Sequence, residues 1–99
     1  MLRIERSEHP RTFLVAGELD FSNSADLAET LDPVAREPGD IVLELSGLEF
    51  ADSSGIQALI RVARELGARG TLVLRHPGEG VRRVIELMGI ERLDNLRVE

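Results

Sequence analysis

There is no cysteine among the 99 residues. That excludes disulfides, thiolate catalysis and cysteine-based metal sites together, and it fits a reducing compartment. Tryptophan and tyrosine are absent too, leaving Phe13, Phe21 and Phe50 as the only aromatic side chains. The core must therefore be aliphatic, which a hydrophobic share of 42% allows. No apolar run approaches the roughly 20 residues that span a bilayer. The opening Met1-Leu2-Arg3-Ile4-Glu5-Arg6 lacks the apolar stretch of a signal peptide. We read the chain as cytoplasmic, with no membrane insertion.

Positive charge is also scarce. Twelve basic residues face 18 acidic ones, for a net charge of -6. No basic run exists, and Arg82-Arg83 is the densest pair. Nucleic-acid affinity rests on Lys and Arg contacts to phosphates, so direct nucleic-acid binding is not expected. An acidic surface tolerates basic partners instead. The length allows one domain, residues 1–99.

Leu2 to Glu5 alternates weakly, and the turn signal His9-Pro10 separates it from the apolar Thr12 to Ala16. These two strands are spaced for a hairpin. Ser22, Asn23 or Ser24 can cap a helix carrying Leu27, Ala28, Leu31 and Ala35. Pro33 inside it predicts a kink or an early end. Asp40 to Leu45 is the clearest strand, apolar enough for burial on both faces as in a parallel sheet. A loop, Ser46 to Ala51, leads to Asp52-Ser53-Ser54-Gly55. A second helix places Ile56, Leu59, Ile60 and Ala63 on one face, and Gly67 ends it. Thr71 to Leu74 is a strand, Val81 to Met88 a helix, and Leu96 to Val98 a last strand. The order β-β-α-β-α-β-α-β argues for an α/β fold with a mixed, mostly parallel sheet of four to five strands and helices packed on it.

Few residues invite chemistry. A serine nucleophile needs a base within reach, and only His9 and His76 could supply one. The segment is not a Gly-x-Ser-x-Gly elbow, since Ala51 stands where Ser53 would need a glycine. No His-x-x-x-His or Asp-x-Asp cluster points to a metal. Gly78-Glu79-Gly80 opens a helix after a strand, but Arg83 breaks the dinucleotide pattern. We therefore expect no catalytic residue, no metal and no cofactor.

Asp52-Ser53-Ser54-Gly55 reads two ways. Asp and Ser are strong helix N-caps, because their side-chain oxygens accept orphan N–H groups. The same position suits a phosphoserine: the helix dipole tolerates negative charge there, and a phosphate would add about -1.5 to -2 charges.

Three segments together resemble one family. They are Gly17-Glu18-Leu19-Asp20, Asp52-Ser53-Ser54-Gly55, and the run from Val81 to Ile90. In this order and spacing they resemble the STAS domain, and more narrowly the bacterial anti-sigma-factor antagonists. The resemblance runs from about Leu2 to Val98. It implies a protein that binds an anti-sigma factor with serine kinase activity and so frees a sigma factor. It implies Ser53 as phosphoacceptor, with a serine phosphatase resetting the switch. It also implies Asp20, Asp52, Ser54, Gly55 and Ile56 as the partner-binding surface, and a ligand and substrate in place of an enzyme. Members commonly carry a further helix after the last strand. Here Glu99 follows Leu96-Arg97-Val98 directly, which predicts a bare apolar face inviting oligomerisation or a partner. A STAS subunit of another assembly, such as a lipid-transport complex or a stress-signalling scaffold, is the alternative. A small hydrolase using Ser53 is a third reading, and it requires a histidine beside that hydroxyl.

Overall fold

A computed structural model describes all residues, 1–99. The strands are β1 (Leu2–Arg6), β2 (Thr12–Leu19), β3 (Ile41–Glu44), β4 (Leu48–Ala51), β5 (Leu72–Arg75) and β6 (Leu96–Val98). The helices are α1 (Ser24–Ala35), α2 (Ser53–Leu66) and α3 (Glu79–Met88). β1 and β2 form the expected antiparallel hairpin, with Leu2 opposite Gly17 and Arg6 opposite Phe13. All other strand pairs are parallel.

One strand was not expected. Leu48 to Ala51, read as loop, pairs with the second half of β2, while β3 pairs with its first half. β3 and β4 are thus one strand position, interrupted at Ser46-Gly47. The register against β2 shifts between Gly17 and Glu18. That shift breaks the period-2 pattern of β4, whose two outer residues are buried and two inner ones exposed. The sheet has six strands as a result.

The path order β1-β2-β3-β5-β6 means that each parallel crossover steps in the same direction. Right-handed crossovers in one direction place every helix on one face. Burial agrees. Phe13 and Val15 of β2, Ile41 and Leu43 of β3, and Leu72 and Leu74 of β5 join one core with Leu27, Leu31, Ile56, Leu59, Leu66 and Ile85 of the helices. No polar residue is buried, and no buried polar atom lacks a partner. Phe13 is the sole aromatic contribution to this core.

No helix covers the other face, yet it is not the apolar surface expected, and Val73 on it is buried. Across it run the rows Glu5, Leu14, Glu44, Arg75 and Thr12, Val42, Val73, Arg97. Charges punctuate both rows, as on an ordinary solvated sheet face.

The helix ends are closed by distant side chains. The last carbonyls of a helix have no partner within it. Asn95 Nδ2 donates to Ala63 O (2.7 Å), Gly67 O (3.0 Å) and Gly70 O (3.4 Å) at the end of α2. The Arg11 guanidinium does the same for α1 and the turn after it, donating to Val34 O, Glu37 O, Gly39 O and Asp40 O. Pro33 does not end α1, which runs on to Ala35. No helix is long and apolar enough to cross a membrane.

Candidate functional site

Parallel strands deliver the loops that follow them to one rim of the sheet. The β2–α1 loop and the β4–α2 loop emerge side by side, because Leu19 and Ala51 are ladder partners. Asp52 joins them. Its N–H donates to Leu19 O (3.1 Å), and its Oδ2 accepts the Phe21 N–H (3.3 Å). Its Oδ1 accepts the Gly55 N–H (2.9 Å), so Asp52 is also the N-cap of α2. Replacing Asp52 with Ala removes a cap and a loop tether; we expect a loss of about 1–2 kcal/mol of stability. Urea denaturation would show it, with Asp52→Asn losing less because an amide oxygen can still accept.

Asp20 sits in the neighbouring loop. The Ser22 hydroxyl (2.5 Å) and the Ser22 N–H (2.9 Å) both donate to its Oδ1. Those two bonds, the hydroxyl's first, hold the Asp20 carboxyl below the usual carboxylate range. Asn23 is the N-cap residue of α1 but makes no side-chain cap. Its side chain instead accepts the Asp20 N–H and donates to Glu18 O, both at 2.9 Å, which fixes the loop.

Ser53 is the first residue of α2 and exposed, whereas Ser54 is half-buried. The N–H groups of Ser53 and Ser54 have no acceptor within the chain, as expected for the first helical turn. The hydroxyl of Ser53 thus stands beside two free donors and the positive end of the helix dipole. Ser54 lines an open groove of about 550 Å³ between α1 and α2, with Ser24, Ala28, Gln57 and Arg61.

Two expected contact residues are placed differently. Ile56 is wholly buried in the core and presents no side chain to a partner. Gly55 is buried as well. A Cβ there would lie 2.6 Å from Leu19 Cγ and 2.7 Å from Leu19 O. Its glycine serves the close approach of α2 to β2. Asp20, Asp52, Ser53 and Ser54 remain together at the rim. Sequence reasoning did not single out Phe21 and Phe50, which flank Asp52 and are exposed.

The histidines lie elsewhere. His76 Nδ1 is 3.1 and 3.2 Å from the two oxygens of Glu44. Burial raises the Glu44 carboxyl, but hydrogen bonds from Ser46 and His76 outweigh it and hold the group below its ordinary range. His9 belongs to the β1–β2 turn, where its N–H donates to Ser7 Oγ. Neither histidine hydrogen-bonds Ser53, so the hydrolase reading has no base.

A family model described as "Mlab, STAS domain" matches residues 2–97. The anti-sigma-F factor antagonist RsfB of Mycobacterium tuberculosis is 32% identical over 79 residues, covering 79% of this chain and 65% of that protein. The chain therefore spans a little less than two thirds of that relative. A crystal structure of an anti-sigma factor antagonist from Mycobacterium paratuberculosis superposes with a TM-score of 0.76 at 27% identity, covering 98% of this chain and 84% of that one. The Bacillus cell fate determinant SpoIIAA, in its phosphorylated form, shares the fold with a TM-score of 0.67 at 20% identity, covering 100% of this chain and 91% of the other. Six strands, three helices on one face and a capped serine segment at the rim meet that match along nearly the whole length, and the chain belongs to the STAS domain family.

Proposed function

We propose that this protein is an anti-sigma-factor antagonist switched by phosphorylation of Ser53. It binds an anti-sigma factor that is also a serine kinase, and that binding releases the sigma factor. The Ser53 hydroxyl then takes the γ-phosphoryl group of ATP, with ADP and a proton as the other products. The phosphate ends the complex, and a serine phosphatase restores the free hydroxyl. The chain is ligand and substrate in this scheme, and the chemistry belongs to its cytoplasmic partners.

The observation that carries the proposal is the setting of Ser53. The hydroxyl is exposed, unpartnered, and next to two free N–H groups at a helix N-terminus. Those donors and the dipole stabilise added negative charge within the domain. Across an interface the same charge stands among Asp20 and Asp52 and opposes any partner that approached a neutral serine. The fold is kept while the complex is lost.

Incubation with the cognate anti-sigma factor and ATP should add a single phosphate, mapped to Ser53 by mass spectrometry. Ser53→Asp should weaken the complex about tenfold or more, as misplaced charge at an interface does, while Ser53→Ala binds as wild type. Label on Ser54 alone, or equal affinity of the two variants by calorimetry, would sink the scheme.

The description of the matching family model, which names Mlab, favours a second reading as a STAS subunit of another assembly. Co-purification with a membrane transporter, in place of a soluble kinase, would support it.

A further inference from the structure

Only three aromatic side chains exist, and two stand in solvent. Phe21 is 82% exposed and Phe50 is 51% exposed. Neither belongs to the core, so folding does not account for them. The backbone places both beside the switch segment. Phe21 follows Asp20 and is tied by its N–H to Asp52, and Phe50 precedes Asp52 by two residues, opposite Glu18 in the ladder. Asp20, Glu49 and Asp52 stand among them, Glu18 is paired with the Met1 ammonium, and no arginine occurs in residues 18–24 or 48–57.

We propose that Phe21 and Phe50 are the apolar anchors of the partner surface, and that the partner meets them with an apolar pocket rimmed by Arg or Lys side chains. The inference rests on the antagonist reading, and the occupant is the anti-sigma factor kinase. Buried aromatic anchors carry most of the energy in many interfaces, provided that the surrounding contacts exclude water. The carboxylates of Asp20, Glu49 and Asp52 select a basic rim and steer it in. This arrangement also explains the reach of one phosphate. A doubly charged, hydrated group on Ser53 keeps water at the edge of the anchors, so the rings lose their dry pocket as well as their electrostatic match.

Leu87 of α3, also apolar and strongly exposed, is a control, because it lies in a different element. The probe is the purified anti-sigma factor that phosphorylates Ser53, and the readout is calorimetric affinity. Phe21→Ala is expected to bind about tenfold more weakly or worse, and Phe50→Ala severalfold more weakly, as truncated anchors do. Leu87→Ala should match wild type. All three should unfold at the wild-type temperature, since exposed truncations leave no cavity. Affinity should fall with added salt in wild type and in both phenylalanine variants.

Wild-type affinity in Phe21→Ala and Phe50→Ala would overturn the anchors, and an equal loss in Leu87→Ala would do the same. A flat salt dependence would overturn the basic rim. In those cases Ser53→Asp still losing affinity leaves the switch standing. An anti-sigma factor that neither binds nor phosphorylates the wild-type chain removes both the switch and the anchors.

Discussion

Arg11→Ala is expected to lower the unfolding free energy by about 3 kcal/mol, in line with charge-assisted hydrogen bonds to backbone carbonyls. The guanidinium donates to four carbonyls at 2.9 to 3.1 Å. Two of these bonds, to Val34 O and Gly39 O, are partly buried; Val34 O keeps the Glu37 N–H, but Gly39 O is left without a donor where water reaches poorly. The other two carbonyls are exposed and can rehydrate, so they add little. Arg11 adopts a left-handed backbone (φ 58°), which an alanine does not relieve. Gly39 (φ 122°) leaves the room: a Cβ there would lie 2.9 Å from Arg11 Nε. Arg11→Gly should therefore lose about 1 kcal/mol less than Arg11→Ala, because glycine accepts that backbone. Arg11→Lys keeps the charge but not the planar fork, and should fall between wild type and Ala. Thermal unfolding followed by circular dichroism would test the series, with a drop of roughly 10–20 °C for Ala. A loss under about 1 kcal/mol would mean that these bonds are no better than solvation.

Gly55→Ala separates two accounts of the same glycine. If Gly55 exists so that a partner can approach, an alanine adds helix propensity, raises stability by up to about 1 kcal/mol, and weakens only the complex. The packing against Leu19 predicts the opposite sign. A methyl at 2.6 Å from Leu19 Cγ and 2.7 Å from Leu19 O meets backbone as well as side chain. The start of α2 must then move away from β2. Overpacking of this kind costs typically about 1–3 kcal/mol. Set against the propensity gain, the net loss is expected near 1–2 kcal/mol. Asp52 moves with the helix, so the Phe21 tether should loosen too. Faster amide exchange at Phe21 would report it. A stabilised Gly55→Ala variant would rule out the packing account.

Much of the fold was legible because the core is aliphatic and periodic. Ile56, Leu59 and Ala63 repeat at helical spacing and are buried together, and Ile41, Leu43 and Leu45 line one face of a strand position. β4 was not legible. Its neighbours Ser46-Gly47 look like a turn, and the register shift beside Gly17 removes the alternation that marks a half-buried strand. The site shows the same divide. Asp52 and Ser53 announce a helix start by residue type alone. Asp20 came from resemblance, and Ile56, placed on the contact surface by resemblance, belongs to the stripe that its own spacing already defined. Arg11 gave no local signal, since its acceptors lie 23 to 29 residues away. Phe21 and Phe50 were hidden for another reason: apolar residues are expected inside, and only coordinates show which ones stay out.

Asn95 has a bearing on how the chain comes into being. Three carbonyls at the end of α2 and in the turn after it share one amide that lies 25 to 32 residues further along. A ribosome adds about 5–20 residues per second, so α2 leaves the exit tunnel seconds before the residue that closes it. During that interval the serine segment at its other end can already be capped by Asp52, three residues from Gly55. The serine end of the helix is thus completed by its immediate neighbours, and the far end takes its side-chain donor from a distant part of the chain.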